Sequence, residues 1–246
     1  MSTVSRTSPT VAVVTGAARR IGRAVALSLA GRGMTVVVHF GSSADNAAQV
    51  VNEIRSAGGT AIAIDADLRD PEAAARRVFG AAATLGPASV LINSAAVFED
   101  QPLAMVQSEH CQRHLNVNLL APVFLTQEFA CQLPADETGH VINLLDWRAG
   151  RPKSTHLIYT ASKAALWSVT QVLAQQLAPR IRVNGIAAGA ILPPEDNPER
   201  HKQRAVESVP LRQTGSPRDI CDAINFLLSS RFITGEVIHV SGGEEL

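Results

Sequence analysis

Tyr159 and Lys163 have the clearest capacity for chemistry in this chain, which holds one tyrosine and three lysines. The lysine follows the tyrosine by four residues, where a helical pattern begins, so both side chains are expected on one helix face. A nearby ammonium lowers a phenol's pKa from about 10 toward neutrality. Such a phenol can give or take a proton at a reacting atom. The plainer alternative is a partly buried tyrosine beside a surface lysine.

A second constellation lies near the start of the chain. An apolar run, Val11–Thr15, passes into Thr15-Gly16-Ala17-Ala18-Arg19-Arg20-Ile21-Gly22, and a helical pattern follows. Glycines at such a turn let the backbone approach a pyrophosphate, and the helix amino terminus favours the anion. Gly16 and Gly22 would also suit a tight turn and close helix–strand packing without any ligand. An NAD site normally ends its second strand on a carboxylate that holds the ribose 2′-hydroxyl. Here Thr35-Val36-Val37-Val38 ends on His39-Phe40-Gly41-Ser42-Ser43, with no acid. Arg19, His39, Ser42 and Ser43 offer a cation, an imidazole and hydroxyls, which suit a 2′-phosphate. The expected cofactor is therefore NADP (NADPH) rather than NAD; the alternative for Arg19 is simple solvation.

The elements that must position these residues follow from hydropathy. Short, β-branched runs at 11–15, 35–39, 60–65, 89–93, 140–145, 182–187 and 236–240 read as strands buried on both faces. Between them, 21–30, 44–57, 73–85, 107–132, 162–178 and 219–229 have helical spacing. Strict alternation of strand and helix predicts an α/β fold with a parallel sheet between two helical layers. No linker divides the chain, so residues 1–246 are expected to form a single domain with a loose arm at 1–10. The proline-rich stretch 190–211 follows the sixth strand at its carboxyl end, where open α/β sheets bind ligands, and is expected to be a substrate lid.

Composition bounds the alternatives. The 246 residues are 46% hydrophobic and 18% charged, and 22 basic residues balance 22 acidic ones. That excludes a disordered or collagenous chain, and no global positive field favours nucleic acid or an anionic membrane. No apolar run approaches a membrane span. Cys111, Cys131 and Cys221 fit neither a disulfide framework nor a zinc set, and a cytoplasmic location is the expectation. His110 and His114 have metal-ligand spacing, but no third ligand is evident, so no metal site is expected. Trp147 and Trp167 read as packing residues, Asp65 as a strand-end cap, and Glu99 and Asp100 as rim residues.

Taken together, the motifs resemble the short-chain dehydrogenase/reductase family over essentially the whole chain. The carriers are the glycine turn, Asp67-Leu68, Asn93-Ser94-Ala95, Asn116-Val117-Asn118-Leu119, Tyr159-x-x-x-Lys163 and Ser241-Gly242-Gly243. The resemblance implies a Rossmann-type, doubly wound, seven-stranded parallel sheet, a homotetramer, and hydride transfer from a nicotinamide. It implies Tyr159 as the acid, Lys163 on the nicotinamide ribose and Asn118 in a water relay. Asp67 and Leu68 would face the adenine, Asn93 and Ala95 would line the cofactor, and Gly189, Ala190 and Ile191 would offer backbone contacts to the carboxamide.

Where the family usually has a catalytic serine, thirteen residues before the tyrosine, this chain has Asp146. With Arg19-Arg20-Ile21-Gly22, His39, Phe98 and Phe232-Ile233-Thr234-Gly235, this is similar to the pteridine reductase and dihydromonapterin reductase branch. The departures from that branch are Ala96 for a serine, Ser42 for an arginine and Ala188-Gly189 for Pro-Gly. The implied substrate is a small molecule, a dihydropterin, with dihydrofolate as a weaker one. Phe98 would stack on its flat ring, Asp146 would pair with its amino-pyrimidine edge, and Arg20 would reach its oxygen or N5 side. Asp146 and Tyr159, directly or through water, would supply the proton at the ring nitrogen as hydride reaches carbon. Leu192, and less so Glu195 and Asp196, would meet it from the lid. The rival functions are a general carbonyl reductase acting on 3-oxoacyl thioesters or small ketones, and a non-catalytic NADP-binding sensor.

Overall fold

The computed structural model describes residues 10–193, 203 and 205–246. Residues 1–9 of the expected arm and Glu195 and Asp196 of the expected lid lie outside the described residues. All seven apolar runs form strands: β1 Val11–Val14, β2 Thr35–Phe40, β3 Ala61–Asp65, β4 Ala88–Asn93, β5 Gly139–Asp146, β6 Ile181–Ala188 and β7 Val237–Val240. They make one parallel sheet in the order β3-β2-β1-β4-β5-β6-β7.

Helices cover it, among them α1 Arg20–Gly31, α2 Ala44–Ser56, α3 Pro71–Ala82, α4 Ser108–Leu115, α5 Ala121–Gln132, α6 Leu157–Leu177 and α7 Pro217–Ser229. Alternation along each strand sends neighbouring side chains to opposite layers. Val36 and Val38 pack with Val25, Leu29, Ile54 and Ile220, whereas Val37 packs with Val78, Phe79, Leu125 and Phe129. Strand order reverses between β1 and β4, and the crevice at their carboxyl ends is where a parallel sheet of this kind receives a ligand.

Three element boundaries differ from expectation and matter for the site. First, residues 107–132 are not one helix. A π-turn, Asn116–Leu120, separates α4 from α5. Pro122 stands at the start of α5 and has no N–H to return to the carbonyl of Asn118, so regular helical bonding cannot run through this point. Second, α6 begins at Leu157 rather than 162, which places Tyr159 and Lys163 in one continuous helix. Third, β5 runs one residue further than expected, so Asp146 ends the strand at the sheet's carboxyl edge. Within 190–211, Ala205 and Val209 are buried and, with Ser208, line the cavity described below. No helix among the described residues is long and apolar enough to cross a membrane.

Candidate active site

Two adjoining cavities open at the carboxyl edge of the sheet. The first, about 550 Å3, is lined by Asp146, Tyr159, Lys163, Phe98, Leu192 and the segment 188–191, among others. The second, about 490 Å3, is lined by the glycine turn, residues 39–43, Asp67, Leu68, Arg69 and the segment 94–97. Arg20, Ile21, Ser94 and Ala96 line both, so the cavities are contiguous.

The second cavity has the features of a dinucleotide cradle. Gly16 has φ +63°, and a Cβ there would sit 2.9 Å from the Cα of Ala95. A Cβ on Gly22 would lie 2.2 Å from the carbonyl oxygen of Gly16. Both glycines are therefore required by the packing of β1, α1 and the loop after β4, whatever binds there. The Thr15 hydroxyl braces the same loop, accepting from the backbone N–H groups of Ser94 (2.9 Å) and Ala95 (3.0 Å).

His39 is a structural brace in this cavity rather than a cation. Its Nδ1 accepts from the Gly16 N–H at 3.2 Å, and its Nε2 donates to the Ala66 carbonyl at 3.0 Å. That pairing fixes the neutral tautomer, and burial holds its pKa below the ordinary value despite the Ala66 hydrogen bond and the Asp65 charge. His39 therefore offers no charge to a 2′-phosphate, whereas Arg19, Ser42 and Ser43 line the same cavity. Arg19 makes no ion pair among the described residues, so its charge is available. Arg69, which sequence reasoning did not single out, also lines the cavity but is held 2.6 Å from Asp67. Replacing Arg19 by Ala is expected to raise KM for NADPH about tenfold, the scale of one charge-assisted hydrogen bond, and to leave KM for NADH unchanged. Steady-state kinetics with both cofactors checks this.

Not every expected contact is made by a side chain. Asn93 is buried, and its amide donates to the Oδ1 of Asn143 at 2.8 Å, so it ties β4 to β5 instead of facing either cavity. The Asn118 side chain is also committed: its Oδ1 accepts from the Val97 N–H at 2.8 Å, and its Nδ2 donates to the Val97 carbonyl at 2.9 Å and to the Ser162 hydroxyl at 3.1 Å. Asn118 thus fixes the loop after β4 against α6. The Ile191 N–H donates to the Gly189 carbonyl (2.8 Å), and the Ala190 N–H to a carboxylate oxygen of Glu244 (2.9 Å). Glu244 also lines the first cavity, and nothing in its sequence neighbourhood marked it.

The first cavity brings the proton-bearing groups together. The Tyr159 hydroxyl donates to Oδ2 of Asp146 at 3.1 Å. Asp146 is held in turn by Arg148, whose backbone N–H lies 2.8 Å and whose guanidinium lies 3.2 Å from the carboxylate. The Lys163 ammonium donates to the Leu144 carbonyl at 2.7 Å. These contacts overturn the expectation that Lys163 lowers the Tyr159 pKa. Burial, the Asp146 charge and the hydrogen bond to Asp146 push the phenol well above its ordinary value, outweighing the Arg148 charge that acts to lower it. Tyr159 is therefore held protonated.

Burial pushes the Lys163 ammonium down to about 8, against the opposing pull of Asp146. Its charge is present below that pH and lost above it, so kcat/KM is expected to fall as pH rises through about 8. The unfolded chain still binds this proton up to about pH 10.4, so the lysine's contribution to stability rises with pH across that window and is lost as pH falls through 8. A Lys163→Met variant should lose both trends in a pH–rate profile and in paired melting curves.

The aromatic face is built from two loops. Phe98 is stacked on His156, with ring centroids 4.2 Å apart and planes 15° apart, and meets Tyr159 edge-on at 4.7 Å. His156 has φ +57°, and its N–H donates to Asp100 at 2.6 Å. Asp100 is thus an anchor for this ring pair, a role its place beside Phe98 did not reveal. Arg20, also at positive φ (+52°), donates to the carbonyls of Leu192 (3.3 Å) and Pro193 (3.1 Å). It joins the glycine turn to the loop that follows β6. Trp147 is buried under Arg148 and Lys153, as packing was expected to place it.

Comparison with known proteins places this architecture. A family model described as Enoyl-(Acyl carrier protein) reductase matches residues 16–245. The 3-oxoacyl-[acyl-carrier-protein] reductase FabG of Staphylococcus epidermidis is 32% identical, over 94% of this chain and 97% of that protein. The crystal structure of FolM Alternative dihydrofolate reductase 1 from Brucella canis, complexed with NADP, is 36% identical, with a TM-score of 0.91 over 96% of this chain and 94% of that one. A short-chain dehydrogenase from Burkholderia cenocepacia, in complex with NADP, is 32% identical with a TM-score of 0.90, over 98% of this chain and 100% of that one.

Proposed function

Since this chain belongs to the short-chain dehydrogenase/reductase family of oxidoreductases, we propose that it uses NADPH to reduce a dihydropterin to the tetrahydropterin, with dihydrofolate a weaker substrate. The observation that carries this reading is the Asp146 carboxylate 3.1 Å from the Tyr159 hydroxyl, in a cavity also lined by the stacked Phe98–His156 ring pair.

The residues present fit NADPH. The turn with Gly16 and Gly22 lines the second cavity at the amino end of α1, where a pyrophosphate would be favoured; Arg19, Ser42 and Ser43 of the same lining would meet the 2′-phosphate, and Asp67 and Leu68 the adenine. Lys163, which lines the first cavity, would hold the nicotinamide ribose, as the family resemblance implies. The bound cofactor supplies the hydride. The chain's own residues orient the ring and move the proton. Phe98 offers a flat apolar face to a pterin, and Asp146 offers two acceptor oxygens to adjacent N–H donors on its amino-pyrimidine edge. Arg20 spans both cavities and can reach the ring's oxygen side. Tyr159, kept protonated, gives a proton to the ring nitrogen, directly or through water, as the neighbouring carbon is reduced. The NADP-bound FolM dihydrofolate reductase structure supports this reading.

One observation favours a second reading. Arg148 already pairs with Asp146, which partly neutralises the carboxylate, and the FabG relative is a reductase of 3-oxoacyl thioesters at comparable similarity. The two readings separate in one assay. NADPH oxidation is followed with a dihydropterin and with acetoacetyl thioester at equal enzyme. Turnover confined to the dihydropterin supports the proposal. Turnover confined to the thioester sinks it and returns the protein to the carbonyl reductases. NADPH binding with no turnover on either would favour the sensor. We further propose a homotetramer in the cytoplasm, as the family resemblance implies; exposed Leu103, Met105, Phe226 and Phe232 offer apolar surface for subunit contact.

A further inference from the structure

We propose that Glu99, His110 and His114 form a binding site for one divalent transition-metal ion of the zinc class, which would clamp the loop after β4 to α4. His110 and His114 lie one helical turn apart on α4, and the sequence showed no third ligand for them. The fold supplies it. One ligand atom from each of Glu99, His110 and His114 can be chosen so that all lie within 4.8 Å of one another. None of the three residues lines either cavity, so this site is separate from the catalytic one.

The two imidazoles are buried, and three of their four ring nitrogens make no hydrogen bond. His110 is 4% exposed and His114 is fully buried. Neither ring nitrogen of His110 makes a hydrogen bond, and neither does Nε2 of His114. A buried polar atom without a partner is costly and rare, and a bound ion would satisfy these. His114 is also oriented as a metal ligand is. Its Nδ1 lies 3.0 Å from the His110 carbonyl, which can only accept, so Nδ1 carries the proton and Nε2 presents a lone pair. Nε2 of His110 is 3.5 Å from Oε2 of Glu99. Arg113 grips the same oxygen, Oε2, and fixes the orientation of the carboxylate beside the imidazoles. Two imidazoles and one carboxylate suit zinc, nickel or cobalt rather than calcium or magnesium, and three protein ligands leave a fourth position for water.

The test uses the untagged full chain stripped with chelator. Isothermal titration with Zn2+ should give one ion per chain, and Co2+ should give the visible absorption of a tetrahedral site. Glu99→Gln and His110→Gln should each weaken Zn2+ at least about tenfold and abolish the rise in melting temperature that Zn2+ produces. Melting curves and NADPH affinity without metal confirm that both variants fold. Absence of stoichiometric binding overturns the proposal. So does binding that either variant leaves unchanged, because the ion would then sit elsewhere, for instance on the exposed Cys131.

Discussion

Tyr159→Phe is expected to lower NADPH-dependent turnover by about 100- to 10,000-fold, the range for loss of a positioned general acid, with NADPH affinity nearly unchanged. The ring stays in place because its packing against Phe98 and its position in α6 do not depend on the hydroxyl. What is lost is the one phenol in the chain, which the surroundings hold protonated in the first cavity. The Lys163 ammonium keeps its bond to the Leu144 carbonyl, and Asp146 keeps Arg148, so the variant leaves no buried charge unpaired. Single-turnover kinetics and a fluorescence titration of NADPH separate the chemical step from binding. Turnover within about threefold of wild type would remove Tyr159 as the acid and shift the proton source to Asp146 or water.

Asp146→Ser should move activity between substrate classes. Reduction of a carbonyl develops negative charge on oxygen, and a carboxylate about 4 Å away opposes it by about 4 kcal/mol at an effective dielectric of 20. Arg148 offsets part of that, so relief on removing the carboxylate should raise thioester or ketone reduction by about a hundredfold rather than the full thousandfold. A serine hydroxyl would in addition donate to the developing oxyanion. The same change strips a pterin of its paired acceptors, and dihydropterin turnover should fall at least about tenfold. Parallel assays of wild type and variant on both substrates read the exchange directly. A variant that loses dihydropterin turnover and gains no carbonyl activity would leave the pterin reading standing and refute the electrostatic account of Asp146. A variant that keeps dihydropterin turnover would refute the role of Asp146 in pterin binding.

The parallel α/β architecture was legible in the amino-acid order, because strands buried on both faces are nearly continuous apolar runs and the helices between them carry a different period. That order also placed Gly16, Tyr159, Lys163 and Asp146, since local spacing fixes where a residue falls on a turn, a helix or a strand end. Partners across the sheet were not legible, because contacts between distant segments leave no local pattern. His39 was expected among the phosphate contacts, yet burial between Gly16 and Ala66 makes it a neutral brace. Asn93 turned into the sheet toward Asn143, fifty residues away. Spacing alone points the phenol's pKa downward: four residues set Lys163 beside Tyr159, but only the fold shows the ammonium turned to the Leu144 carbonyl and the hydroxyl turned to Asp146, which with burial raises it. Glu99 likewise became a third neighbour of His110 and His114 only when the loop after β4 folded against α4. Desolvation and through-space charge are properties of the packed molecule, and tertiary structure alone sets both.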